Sequence, residues 1–155
     1  TKSANISISP RTRGAVVYQN RETLTEGIFA CGNALQVHDL VDFVSEESEI
    51  AGISAAKYVL EGRKEHDSID VVNGNNIGYV VPQKLDKNMS GNVKLFFRVT
   101  NTFRDCKIKV TCGDTVLMER KKKIVVPGEM ETLILTEAKI AEMNDTVTVT
   151  LEETL

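Results

Sequence analysis

The sequence predicts an α+β chain in two parts. Short strands plus one long helix occupy residues 1–63, and a mainly antiparallel, immunoglobulin-like β-sandwich occupies residues 68–155. Three observations carry this. The apolar run Gly27-Ile28-Phe29-Ala30-Cys31 stops abruptly at Gly32-Asn33. Residues 39–62 then place apolar side chains at helical spacing. From residue 68 onward the period switches to two, with turn residues between short apolar runs.

Residues 1–26 are polar, with two short alternating pieces. Ile6 and Ile8 alternate with Asn5, Ser7 and Ser9 until Pro10 stops the run. Arg11-Thr12-Arg13-Gly14 reads as a turn, Ala15-Val16-Val17-Tyr18 as a second short strand, and Gln19-Asn20-Arg21-Glu22 as the next turn. Residues 23–26 lead into the strand expected at 27–31. This stretch cannot bury a core by itself and reads as the trailing edge of a larger domain.

After a linker at 34–38, Asp39 is the expected N-cap of the helix, with Asp42 adding negative charge to the first turn. Leu40, Phe43, Val44, Glu47, Ala51, Ser54, Ala55 and Tyr58 share one face. Glu46, Glu47 and Glu49 read as a solvated polar middle rather than a metal cluster. Gly52 costs about 1 kcal/mol against Ala inside a helix, so it points to close packing there. Gly62 is the expected helix stop, and Arg63-Lys64-Glu65-His66-Asp67 a charged linker.

Strands are expected at 68–72, 78–83, 92–100, 106–111, 115–126, 131–136 and 146–152, with a single helical turn as the alternative near 135–144. Cys112-Gly113-Asp114 between two of them is a tight hairpin signal. Arg120-Lys121-Lys122-Lys123 would split its charges between two faces of a strand, which suits edge protection better than nucleic-acid binding.

Composition narrows the function classes. The 155 residues are 41% hydrophobic and 26% charged, as in ordinary globular proteins. A net charge of -3 argues against a general nucleic-acid binder. No apolar run approaches the ~18 residues of a membrane span. Three cysteines, Cys31, Cys106 and Cys112, do not make a disulfide framework, and a reduced, cytoplasmic setting is the simpler reading. Cys31 reads as a small buried hydrophobe. Cys106 and Cys112 are too far apart along one strand to bridge. With only His38 and His66 and no CxxC, no zinc site is expected.

The functional clue is the corner at Gly32-Asn33. In open α/β sheets, ligands bind beyond the carboxyl ends of strands, where a following helix presents its N-terminus. His38 lies just before that helix, where a ligand would be, as an acid–base or ligand-edge contact or as an ordinary capping or packing residue.

The residues around this corner resemble a known family. Glu26-Gly27-Ile28-Phe29-Ala30-Cys31-Gly32-Asn33 is similar to the second FAD-binding motif of the pyridine nucleotide-disulfide oxidoreductase superfamily, which includes thioredoxin reductase. Ala55-Ala56-Lys57-Tyr58 matches the helix end of that pattern. Val37-His38-Asp39-Leu40-Val41-Asp42-Phe43-Val44-Ser45 further resembles a bacterial FAD/NAD(P)-dependent subgroup with an extra C-terminal β-domain, to which 79–83 and 95–100 are similar. The resemblance implies that residues 1–63 end a Rossmann-like FAD domain. It implies FAD contacts by Gly32, by Asn33 in place of the family's Asp, and by the helix start at Val41, Asp42 and Phe43. Asn keeps a carbonyl oxygen that accepts a hydrogen bond, without the charge.

The family's first glycine-rich motif and its NAD(P) domain have no counterpart here; Asn73-Gly74-Asn75-Asn76-Ile77-Gly78 lacks the spacing. The chain is therefore expected to be the C-terminal part of a longer flavoenzyme. Its partners would be the remainder of its own FAD and NAD(P) domains, with another redox subunit besides. By itself it is expected neither to retain FAD nor to catalyse hydride transfer. The alternative is a non-catalytic β-sandwich module that docks a partner subunit.

Overall fold

A computed structural model describes residues 4–154. Residues 1–3 and 155, where the two expected parts begin and end, lie outside the described residues. The chain is mixed α+β, mostly sheet with two helices. It divides into two compact units, residues 1–66 and 67–155.

In the first unit, residues 4–30 run as a series of tight turns held by single bridges: Ile8 with Ala15, Val17 with Thr23, and Glu22 with Phe29. The strand expected at 27–31 is thus one bridge rather than a ladder. Gly27 bends the chain (φ 71), and the segment meets residues 21–23 through Thr23 N–H to Ile28 O (2.7 Å) and Ala30 N–H to Arg21 O (3.0 Å). Two hydrogen bonds to one neighbour do not build a sheet. A 3₁₀ turn over Gly32–Ala34 follows, then helix α1, Val41–Glu61.

Helix α1 keeps most of the expected face: Glu47 and Ala51 are buried, and Phe43, Val44, Ser54, Ala55 and Tyr58 are half-buried, but Leu40, expected there too, precedes the helix and is exposed. Its N-cap is Leu40, not Asp39, and no side chain caps it. Gly62 ends it, with its N–H on Tyr58 O at 2.9 Å and φ 77, a conformation in which glycine carries no Cβ penalty. Gly52 does not serve the close packing expected of it, since a Cβ built there meets nothing within 4 Å.

In the second unit the expected strands form. Strands β1 (Ser68–Asn73), β2 (Ile77–Val81), β3 (Lys84–Asp86), β4 (Val93–Val99), β5 (Phe103–Cys112), β6 (Thr115–Val125), β7 (Glu131–Leu135) and β8 (Val147–Glu153) form two sheets. Burial alternates in β1, β5, β7 and β8, whereas β4 buries Leu95, Phe96 and Phe97 in succession and β6 shows no alternation. One has the order β3-β1-β8-β5-β6 and the other β2-β4-β7. All pairs are antiparallel except β1 with β8. The short strand β3 has no counterpart among the expected strands; Pro82 separates it from β2, and it pairs with β1 over three residues. Helix α2, Glu137–Ala141, takes the helical alternative of the 135–144 segment.

Both sheets feed one buried cluster. Val71, Leu95, Phe97, Ile108, Val110, Leu133 and Val149 belong to it, with Ile140 of α2 and Met143 just beyond. Cys106, Ile108, Val110 and Cys112 share the inner face of β5, because successive side chains of a strand point to opposite sides. The β5–β6 hairpin pairs Cys112 with Thr115, leaving Gly113-Asp114 as a two-residue loop. Of the connections between consecutive strands, this one alone stays within one sheet.

Candidate functional site

The first unit is organised around a buried carboxylate. Glu47, in the second turn of α1, has a fully buried side chain (0% exposed). Its Oε1 accepts from Arg21 Nε (3.2 Å) and Gln36 Nε2 (3.1 Å). Its Oε2 accepts from Gly32 N–H (2.9 Å) and pairs with His38 Nε2 at 2.8 Å. Every partner donates, as a carboxylate requires. Glu47 is therefore not part of a solvated helix face, although its neighbours Ser48 and Glu49 are exposed.

The four donors come from separate places along the chain. Arg21 sits at a left-handed turn position (φ 68), with a second guanidinium nitrogen on Gln19 O at 3.1 Å. Burial pulls its pKa down and the adjacent Glu47 opposes that shift. Gly32, Gln36 and His38 line the segment between the Phe29 bridge and α1. Gly32 has φ 61 and its own Cβ position is 3.6 Å from Val44, so the backbone conformation rather than crowding asks for glycine. Two buried atoms of this cluster, Gln36 Oε1 and His38 Nδ1, have no hydrogen-bond partner among the described residues. The His38 carboxylate pair requires the hydrogen on Nε2, which leaves Nδ1 as the acceptor in the neutral ring.

The corner is tied to the far end of α1 as well. A Cβ on Gly27 would stand 3.1 Å from the Tyr58 ring. Tyr58 donates its hydroxyl to Glu26 at 2.8 Å and meets Phe29 edge-on at 6.2 Å. This gives a physical reason for the pairing of a Gly-x-Phe segment with a tyrosine at the helix end.

The residues expected to touch a cofactor fall as follows. Gly32 is buried, while Asn33 is exposed and its Oδ1 accepts from His38 N–H at 3.4 Å. That oxygen is thus partly committed to the loop. Val41 and Asp42 are exposed at the start of α1 and Phe43 is half-buried, with its N–H on Leu40 O at 3.2 Å. The Leu40 side chain makes no capping hydrogen bond there, and a helix start carries partial positive charge. A glycine-rich turn opening a helix, which a pyrophosphate site needs, has no counterpart among the described residues.

Elsewhere, His66 stacks on Tyr18 (centroids 4.2 Å apart) with Nε2 3.6 Å from Glu22 Oε2. Only His66 of the linker is folded back; Arg63, Lys64, Glu65 and Asp67 are exposed. The cleft beside it, lined by Glu22, Glu26, Arg63 and His66 among others, has a volume of about 80 Å³, far below the roughly 300 Å³ at which ligand pockets begin. All three cysteines are free; Cys106 and Cys112 are buried, and burial pushes the Cys106 thiol up. No group of three His, Cys, Asp or Glu among the described residues is placed to hold a metal. No described helix is long and apolar enough to cross a membrane.

The residue that sequence reasoning missed is Glu47 as a hub, together with Arg21 and Gln36. The signal was present: a carboxylate on the apolar face of a helix needs buried donors. No protein-family model, curated protein or solved structure matches this chain.

Proposed function

We propose that this chain is the C-terminal part of a flavin-dependent oxidoreductase of the pyridine nucleotide-disulfide oxidoreductase superfamily, and that it supplies the second FAD contact. The observation that carries this reading is the corner itself. Gly32, in a left-handed conformation, is tied by its N–H to Glu47 of the same helix whose uncapped N-terminus begins at Val41. A strand-like segment, a glycine corner and an open helix start are thereby joined through one carboxylate. The Gly27–Tyr58 contact adds support, since it links the two ends of the flavin motif.

On this reading residues 1–63 are the end of a Rossmann-like domain, and 68–155 form an appended β-sandwich of immunoglobulin-like layout. The outer side of α1 supports the first assignment. Val41, Val59 and Leu60 are 75%, 80% and 84% exposed, and exposed apolar residues on a helix call for a covering layer. FAD, when bound, supplies hydride and electron transfer with NAD(P) as the paired nucleotide. The chain's own residues do less. Gly32 lets the backbone come close, and Asn33 offers its amide to a polar chain. The N–H groups at Val41 and Asp42 present partial positive charge to an acceptor that gains electrons. The protein would work in the cytoplasm, bound to the rest of its FAD and NAD(P) domains.

The test is the visible absorbance of the purified full-length gene product near about 450 nm, where oxidised flavin absorbs. A flavin band that shrinks on Gly32→Val is the expected result. A full-length protein without flavin, before and after incubation with FAD, would refute the reading.

One observation favours a second reading for residues 68–155. Strand β6 is an eleven-residue edge strand, exposed along most of its length, with Val116 and Ile124 each near half exposed. Long open edges accept further strands, which suits a module that docks a partner subunit. Equal recovery of partners with and without residues 68–155 would remove that case.

A further inference from the structure

We infer that Glu47 is the positioning residue of the Gly32-Asn33 corner, acting through the Gly32 N–H and His38, and that a ligand held at this corner depends on it without touching it. The identity of that ligand rests on the flavin reading, but the positioning itself does not.

Between Gly32 and Val41 the chain makes only a short 3₁₀ turn, so nothing in its secondary structure fixes the corner relative to α1. Glu47 does so directly. Its Oε2 holds Gly32 N–H at 2.9 Å at one end of the segment and His38 Nε2 at 2.8 Å near the other. Its Oε1 holds Gln36 at 3.1 Å between them and anchors the whole to Arg21 at 3.2 Å. His38 passes the restraint on, because its backbone N–H donates to Asn33 Oδ1 at 3.4 Å. The orientation of the Asn33 amide is thus set at second hand by a residue on the next helix. Hydrogen bonds to a charged acceptor are shorter and stronger than neutral ones, and burial keeps water from competing for them. Nδ1 of His38 and Oε1 of Gln36 have no hydrogen-bond partner among the described residues, so the cluster is not closed upon itself.

Two measurements separate positioning from bulk stability. In the 155-residue chain, amide exchange of Gly32 is followed by NMR in wild type, Glu47→Gln and the double variant Arg21→Met/Glu47→Met. The double variant removes both charges together, so neither is left buried and unpaired. The expected result is a folded double variant in which Gly32 exchanges at least about tenfold faster while amides of β5 and β8 are unchanged. In the full-length protein the same double variant is expected to bind FAD at least about tenfold more weakly and to shift the visible bands of the flavin that remains. Wild-type Gly32 exchange in either variant overturns the positioning role. Wild-type FAD affinity and spectrum in a double variant with fast Gly32 exchange would overturn the link to the ligand. Failure of the double variant to fold also counts against the proposal, because it makes the cluster a core element with no separable role at the corner. A wild-type full-length protein that holds no flavin refutes the functional reading and with it the link to FAD, and leaves the exchange result standing.

Discussion

A carboxylate with four donors and no solvent is the feature on which the first unit turns. Replacing Glu47 by Ala strips the Arg21 guanidinium of its carboxylate where water cannot reach it, and breaking a buried pair in this way costs about 3–5 kcal/mol. Urea unfolding followed by the helical circular dichroism signal should show a loss of that order. A change under about 1 kcal/mol would mean that Arg21 reaches water. Tyr58 gives a contrasting case at the surface. Its hydroxyl donates to Glu26, and that bond holds its pKa above the ordinary value. A raised folded-state pKa adds stability that is fully present below the unfolded value of about 10 and is lost as pH rises through the folded value. Tyr58→Phe should therefore flatten the alkaline end of the stability profile and leave the shape of the neutral region unchanged. In a spectrophotometric titration a phenolate step above the ordinary value of about 10 should disappear with it; if that step survives, the shifted group is another tyrosine.

At the scale of elements, the open N-terminus of α1 is the one to probe. Leu40 is the N-cap residue and about half exposed; its carbonyl accepts from Phe43 N–H, but its side chain offers the first turn no hydrogen bond. Leu40→Ser should stabilise the chain by about 1 kcal/mol, since a serine oxygen satisfies one of the first-turn N–H groups. If those N–H groups serve a cofactor, the same change should weaken flavin binding in the full-length protein, because the two acceptors compete. A gain in both would place the ligand elsewhere. The periodic elements were legible in the sequence for the same local reasons that form them. Alternation put Ile108 and Val110 inside β5, and helical spacing put Ala51 and Tyr58 on the inner face of α1. What was not legible depends on contacts distant in sequence. Asp39 looked like a cap because of its side chain, but the helix begins after Leu40. Glu47 sat among the apolar positions of its face, yet its donors lie at Arg21, Gly32, Gln36 and His38, which no local pattern joins. The run 27–31 had strand composition and found its neighbour at residues 21–23.

For the whole molecule, the contrast between the two units predicts how each behaves when separated. The buried cluster of the second unit draws every member from residues 69–151, with aromatic and aliphatic side chains from both sheets. The first unit buries fewer apolar side chains, chiefly Ala15, Val17, Tyr18, Leu35 and Ala51, and surrounds them with buried polar groups such as Arg21, Gln36 and Glu47. Apolar burial, at about 25 cal/mol per Å², is the main force that favours folding, and small domains with thin cores are marginal. Residues 67–155 expressed alone should therefore fold, with β-type circular dichroism and a single cooperative urea transition. Residues 1–66 alone should give a broad, weakly cooperative transition, and Glu47→Ala should abolish it. In the intact chain the helical signal should be lost at lower urea than the sheet signal. Coincident loss of both signals, with residues 67–155 unfolded on their own, would show that the chain unfolds as one cooperative body and that the sheet core is insufficient without residues 1–66.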